Sequence, residues 1–102
     1  MSRDTLLLAD DEPLSREYLQ EALQELGFDV TAVVDGEAAC ELLSRRAFDF
    51  VVTDLKMPGR DGTAVLAASK ATDPDRPVVL VTAHGTMSVA VAALRGGADD
   101  IL

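Results

Sequence analysis

The feature that most constrains this 102-residue chain is the alternation of short apolar runs with segments of helical periodicity. The apolar run at 6–9 is followed by residues that recur at the spacing of one helix face: Leu19, Ala22, Leu23 and Leu26. Pro13 suits the first turn of that helix, and Gly27 suits its C-terminal end. Strands that are apolar at every position are typical of a parallel sheet with helices on both faces.

The same alternation continues along the rest of the chain. It predicts strands at 28–34, 50–54 and 78–81, and the start of a fifth strand at Ile101 and Leu102. It predicts helices around 39–43, at 63–71 and at 86–94. With right-handed crossovers, the expected fold is one α/β domain over 1–102, a flavodoxin-like, doubly wound parallel sheet of strand order 2-1-3-4-5. Because Ile101 and Leu102 are only the start of the predicted fifth strand, we expect this sheet to be truncated near strand 5.

Composition excludes several classes of function. Eighteen acidic against nine basic residues give a formal charge of −9, which disfavours direct binding to nucleic acid or to an anionic membrane. No apolar run is long enough to span a bilayer, and the single cysteine, Cys40, rules out an internal disulfide. We expect a cytoplasmic domain in which Cys40 packs in the core.

Polar residues follow three strands of the predicted sheet at the point where each strand ends. Asp10 and Asp11 come after strand 1, Asp54 after strand 3 and Thr82 after strand 4. The carboxyl ends of parallel strands meet at one edge, so these side chains should converge there. A lone Asp in such a place is usually a helix cap, but two adjacent acids are more than one cap requires. Three carboxylates in one cleft predict a bound cation, and carboxylate oxygens suit Mg²⁺.

Four segments together resemble one known family. They are Ala-Asp-Asp-Glu-Pro at 9–13, Thr-Asp-Leu-Lys-Met-Pro-Gly at 53–59 with Gly62, Val-Thr-Ala at 81–83, and Gly-Gly-Ala-Asp-Asp at 96–100. In this order and spacing, the chain resembles the response-regulator receiver domains of two-component signal transduction over its whole length.

The resemblance implies a role for each residue of the site. Asp54 would accept a phosphoryl group from a phosphohistidine on a sensor histidine kinase. The metal ligands would be Asp10, Asp11, Asp54 and the backbone carbonyl of Lys56. Thr82 and Ile101 would be the switch positions, and Lys56 and His84 would form the rim of the site. Ile101 stands where the family often has an aromatic residue, and the family's catalytic lysine would fall about two positions beyond Leu102, so it is not present in this chain.

The resemblance also implies how such a domain would work. It would be a phosphoacceptor with intrinsic phosphotransfer and autodephosphorylation activity rather than an enzyme acting on other substrates. We expect a covalently linked output domain that controls transcription, and a homodimer through the largely apolar face of the helix at 86–94. Compared with the family, the end of strand 5 and the fifth helix would be missing from this chain, and without that helix we expect strand side chains such as Leu6 or Leu7 to be uncovered. The alternative function is a receiver-fold docking module that is never phosphorylated.

Overall fold

The computed structural model describes residues 3–81 and 99–101. The strands are β1 (Thr5–Ala9), β2 (Asp29–Val33), β3 (Phe50–Asp54), β4 (Val78–Val81) and β5 (Asp100–Ile101). The helices are α1 (Pro13–Glu25), α2 (Gly36–Arg45) and α3 (Gly62–Thr72). The helix predicted at 86–94 lies outside the described residues. None of the described helices is long and apolar enough to cross a membrane.

The strands form one parallel sheet of order β2-β1-β3-β4-β5, which confirms the predicted fold class. In the centre of the sheet, Ala9 of β1 is in register with Thr53 of β3, and Asp54 is in register with Val81 of β4. The register therefore brings the C-terminal ends of the three central strands to one edge.

The face of the sheet that packs against α2 and α3 holds the main hydrophobic core. Leu7, Val51 and Leu80 project from this face because alternate strand residues share a side. Cys40 is buried among them, 7% exposed, which confirms its prediction as a core thiol. The loop residue Met57 joins the same cluster and ties the loop after β3 to the core.

The opposite face of the sheet packs against α1. Between α1 and the strands lies an apolar groove of about 250 Å³, whose walls include Leu6, Leu19, Leu23 and Phe28. Leu6 is only 2% exposed, and Leu7, on the other face, is fully buried. The prediction that these strand side chains are uncovered is therefore wrong. Leu6 lies among side chains of α1 and of the neighbouring strands, and Leu7 belongs to the core cluster that includes side chains of α2 and α3.

Each described helix begins at an acidic side chain that accepts hydrogen bonds from backbone N–H groups of the first turn. The capping residues are Glu12 for α1, Asp35 for α2 and Asp61 for α3. Pro13 and Gly27 stand where the sequence predicts them, since Pro13 opens α1 and Gly27, with a φ of 100°, follows its end. Acidic caps are favourable because they satisfy free N–H donors at the positive end of the helix dipole.

A buried arginine holds elements together at the edge of the sheet where the strands begin, opposite the edge where they end. Arg76, which precedes β4, is 4% exposed. Its guanidinium donates hydrogen bonds to the Phe48 carbonyl at 2.8 Å, to the Ser69 carbonyl and hydroxyl at 3.3 and 3.1 Å, and to the Thr72 hydroxyl at 3.1 Å. One side chain thereby joins the C-terminus of α3 to the approaches of β3 and β4.

Candidate functional site

Three carboxylates meet at the C-terminal edge of the sheet. Asp10 follows β1, Asp11 is next to it, and Asp54 ends β3, the neighbouring strand. One oxygen of each lies within 4.8 Å of the others. Asp10 is buried, Asp54 is half-buried and Asp11 is exposed, so the cluster opens to solvent on one side. The structure brings together the three acids that the sequence singled out.

Helix capping does not explain these acids. The cap of α1 is Glu12, whose carboxylate accepts the N–H groups of Leu14 at 3.3 Å and Ser15 at 2.7 Å. Because Glu12 occupies the capping position, Asp10 and Asp11 are not engaged in that role. Asp54 ends a strand and lies eight positions before α3, which Asp61 caps.

Asp10 is held in place by its neighbours in the first turn of α1. One carboxylate oxygen accepts the Glu12 N–H at 3.0 Å, and the other accepts the Ser15 hydroxyl at 2.6 Å. The guanidinium of Arg16 donates to the Asp10 carbonyl oxygen at 3.0 Å. The sequence-based reading missed Ser15 and Arg16. Both residues could have been found from their place in the first helical turn after the acidic pair, which brings their side chains back towards Asp10.

Asp54 occupies a half-buried position at the end of the central strand. One of its carboxylate oxygens accepts the backbone N–H of Lys56 at 3.2 Å. Burial raises the pKa of Asp54 above its ordinary value, and the negative charges of Asp10 and Asp11 raise this pKa further, whereas the Lys56 N–H opposes the shift. The like charges make the cluster unfavourable without a counter-charge.

The loop after β3 is packed tightly against the site. The Gly62 N–H donates to the Leu55 carbonyl at 2.9 Å, which closes the loop at the start of α3. A Cβ at Gly62 would come within 2.5 Å of the Asp54 carbonyl oxygen, so only glycine allows this approach. Leu55 and Met57 are buried in the core cluster and anchor the loop to it.

The donor set fits a magnesium ion. Carboxylate oxygens are hard ligands, and Mg²⁺ is usually bound by one or two of them with water and a phosphate oxygen completing its octahedron. The cluster offers such oxygens on an open side, and a cation there would relieve the repulsion among Asp10, Asp11 and Asp54.

The other predicted site residues are placed only in part. Lys56 is exposed beside Asp54, and its backbone carbonyl as a metal ligand stays a prediction. Thr82 and His84 lie outside the described residues. Ile101 lies in β5, where its backbone pairs with Leu80 of β4. The role of Ile101 as a switch position stays a prediction.

Comparison with known families fits this geometry. The family model described as the response regulator receiver domain matches residues 6–102. The chain belongs to the response regulator receiver domain family. The match covers both the acidic cluster and the sheet that carries it.

Two curated relatives match nearly the whole length of this chain. The response regulator protein FleR of Pseudomonas aeruginosa is 42% identical over 102 residues, which are 100% of this chain and 21% of FleR. The C4-dicarboxylate transport transcriptional regulatory protein DctD of Rhizobium meliloti is 37% identical over 98 residues, 96% of this chain and 21% of DctD. This receiver domain thus spans about a fifth of the length of these curated relatives.

A solved receiver structure gives the same picture. The response regulator protein TrrA of Thermotoga maritima, in complex with Mg(2+)-BeF, is 30% identical and superposes with a TM-score of 0.86. The match covers 97% of this chain and 84% of that one. The fold described above is therefore the receiver fold.

Proposed function

We propose that this receiver domain accepts a phosphoryl group on Asp54 from a phosphohistidine of a sensor histidine kinase. The observation that carries the proposal is the cluster of Asp10, Asp11 and Asp54 within 4.8 Å at the carboxyl edge of the sheet. Asp54 is the member at the end of the central strand, and its half-burial leaves the carboxylate accessible from one side.

The reaction is a phosphoryl transfer between two nucleophiles. A carboxylate oxygen of Asp54 attacks phosphorus as the bond from phosphorus to the histidine nitrogen breaks, and the histidine retains the bonding electrons. The product is an acyl phosphate on Asp54. Hydrolysis by water returns the carboxylate and releases inorganic phosphate, which would be the autodephosphorylation activity of the domain. Such transfers depend mainly on positioning and on charge stabilisation.

Asp10, Asp11, Asp54 and the Lys56 backbone carbonyl would hold Mg²⁺. When bound, the ion neutralises charge on the phosphoryl oxygens and aligns them for in-line attack. The chain itself fixes the placement of Asp54. This residue ends β3, and its carboxylate accepts a hydrogen bond from the Lys56 N–H. The Lys56 and His84 side chains would form the rim that controls the access of water to the acyl phosphate.

Phosphorylation would be read out by a change of conformation and passed to an output domain. Thr82 and Ile101 are the proposed switch positions. The names of the relatives FleR and DctD, a response regulator and a transcriptional regulatory protein, support transcription as the controlled process. The proposed partners are a sensor histidine kinase, a covalently linked output domain and a second copy bound through the helix at 86–94, all in the cytoplasm.

The alternative function is a docking module with a receiver fold that is not phosphorylated. The acidic cluster disfavours this alternative, because a docking module gains nothing from three mutually repelling carboxylates, one of them buried. The distinction rests on chemistry at the cluster and can be tested with a small phosphodonor.

The test is treatment with acetyl phosphate in the presence of Mg²⁺ or of a chelator, followed by intact-mass measurement. We expect one phosphoryl group per chain with Mg²⁺, almost none with the chelator, and removal of the label by hydroxylamine, which cleaves acyl phosphates. A chain that binds its partners but takes up no phosphoryl group under any of these conditions would support the docking module instead.

A further inference from the structure

The side chain of Asp10 is oriented by donors of the protein, not by solvent. It is 1% exposed, so water cannot hold its carboxylate in place. Its backbone is fixed on both sides, because the Asp10 N–H donates to the Val33 carbonyl at 3.2 Å and its own carbonyl accepts from Arg16 at 3.0 Å. What remains to be set is the rotation of the carboxylate itself.

Two donors set that rotation. The Glu12 N–H donates a hydrogen bond to one carboxylate oxygen at 3.0 Å, and the Ser15 hydroxyl donates one to the other oxygen at 2.6 Å. The Ser15 bond is short, as is typical of a hydroxyl that donates to a charged carboxylate. An ionised carboxylate offers about four acceptor positions, so two remain for a cation. The Glu12 donor belongs to the backbone, whereas the Ser15 donor depends on the residue type at position 15.

We infer that Ser15 is a positioning residue of the acidic site, whose hydroxyl holds the Asp10 carboxylate in the orientation that binds the divalent cation. Without the hydroxyl, the buried Asp10 carboxylate loses one of the two hydrogen bonds that its oxygens accept. It is then free to rotate away from Asp11 and Asp54. Part of the cation's binding free energy must then be used to restore the orientation. The inference rests on the proposed magnesium site.

The test is the affinity for Mg²⁺, measured by calorimetry, of the unsubstituted chain and of Ser15→Ala, Ser15→Thr and Ser44→Ala. Ser44 is the matched control, a helix serine whose hydroxyl also donates at 2.6 Å, but to the Glu41 carbonyl in α2. We expect Ser15→Ala to weaken Mg²⁺ binding about three- to tenfold. Ser15→Thr should retain most of the affinity because it keeps a hydroxyl, and Ser44→Ala should leave the affinity unchanged.

Thermal unfolding without metal separates positioning from a structural role. If Ser15 only stabilised α1, Ser15→Ala would lower the melting temperature and leave the Mg²⁺ affinity as it was, which would overturn the inference. An unchanged or higher affinity in Ser15→Ala, or a loss that Ser15→Thr does not rescue, would also overturn it. If the unsubstituted chain bound no Mg²⁺, the proposed function would fail together with the inference, whereas the other outcomes concern Ser15 alone.

Discussion

Gly62 lies directly against the backbone of Asp54, and a Cβ at Gly62 would come within 2.5 Å of the Asp54 carbonyl oxygen. The residue that begins α3 is thereby in contact with a member of the acidic cluster. Because both partners in the contact are backbone atoms, neither can move without displacing β3 or α3. The conformation of the loop and the position of Asp54 therefore depend on each other.

The first prediction follows from this contact. Gly62→Ala should destabilise the domain by about 1–3 kcal/mol, since the added methyl group has no room and must displace backbone. Urea denaturation measures this change. The control is Gly59→Asn in the same loop, where φ is 72° and nothing lies within 4 Å of the added Cβ. Asparagine tolerates that conformation, so the control should cost less than about 1 kcal/mol. Equal stability of Gly62→Ala and the unsubstituted chain would contradict the close approach.

The second prediction concerns Arg76. Arg76→Ala should lower the free energy of unfolding by about 3 kcal/mol, because it leaves the buried acceptors on Phe48 and Ser69 without their donor. The control is Arg45→Ala, which removes an exposed ion pair with Glu41 and should cost at most about 0.5 kcal/mol. Similar losses in the two variants would show that Arg76 does not fasten this edge.

The third prediction concerns the pH dependence of stability without metal ions. The folded-state pKa of Asp54 is raised above its ordinary value of 3.8, first by burial and then by the charges of Asp10 and Asp11. Asp54 thus contributes stability that is fully present below pH 3.8 and is lost as the pH rises through the raised pKa. Asp54→Asn removes the ionisation and should melt a few degrees higher than the unsubstituted chain at neutral pH in a chelator.

This advantage of the asparagine variant should shrink as the pH falls towards and below 3.8, where the Asp54 carboxyl of the unsubstituted chain is neutral. Melting curves of both proteins over this pH range measure the difference. A variant that is less stable than the unsubstituted chain at neutral pH, without metal, would mean that the charge of Asp54 is well compensated within the chain.

The fourth prediction concerns metal affinity. Replacing both Asp10 and Asp11 by Asn should weaken Mg²⁺ binding by at least about tenfold, which corresponds to a loss of only about 1.4 kcal/mol. The control for charge is Asp61→Asn. Asparagine can still cap α3 there, so the variant removes only a negative charge that is not part of the cluster. Calorimetry should separate the two variants clearly. Unchanged affinity in the double variant would place the metal elsewhere.

The layout of the sheet was predictable because it depends on local patterns. The strand at 78–81 is observed with the predicted bounds, since an apolar run between Pro77 and the polar residue Thr82 allows no other choice. The meeting of Asp10, Asp11 and Asp54 was predictable too, because topology alone brings strand ends to one edge. The uncovering of Leu6 was predicted wrongly, since strand composition alone does not show how closely α1 covers it.

The individual polar contacts, at the site and at the opposite edge of the sheet, were not predictable in the same way. The bond from Ser15 to Asp10 depends on the angle at which α1 leaves β1, and the role of Arg76 depends on the distance between α3 and β3. Hydrophobic periodicity predicts neither this angle nor this distance. In both cases a single polar side chain reaches a group that becomes its neighbour only after the chain has folded.

The central claim is that Asp54 is the phosphoacceptor, and intact-mass analysis after treatment with acetyl phosphate and Mg²⁺ tests it most directly. The variants are Asp54→Asn and, as a control, Asp35→Asn, which replaces another acid beyond a strand end while keeping a side chain that can cap α2. We predict that the unsubstituted chain and Asp35→Asn each gain the mass of one phosphoryl group and that folded Asp54→Asn gains none. A phosphorylated fraction as large in Asp54→Asn as in the unsubstituted chain would contradict the account.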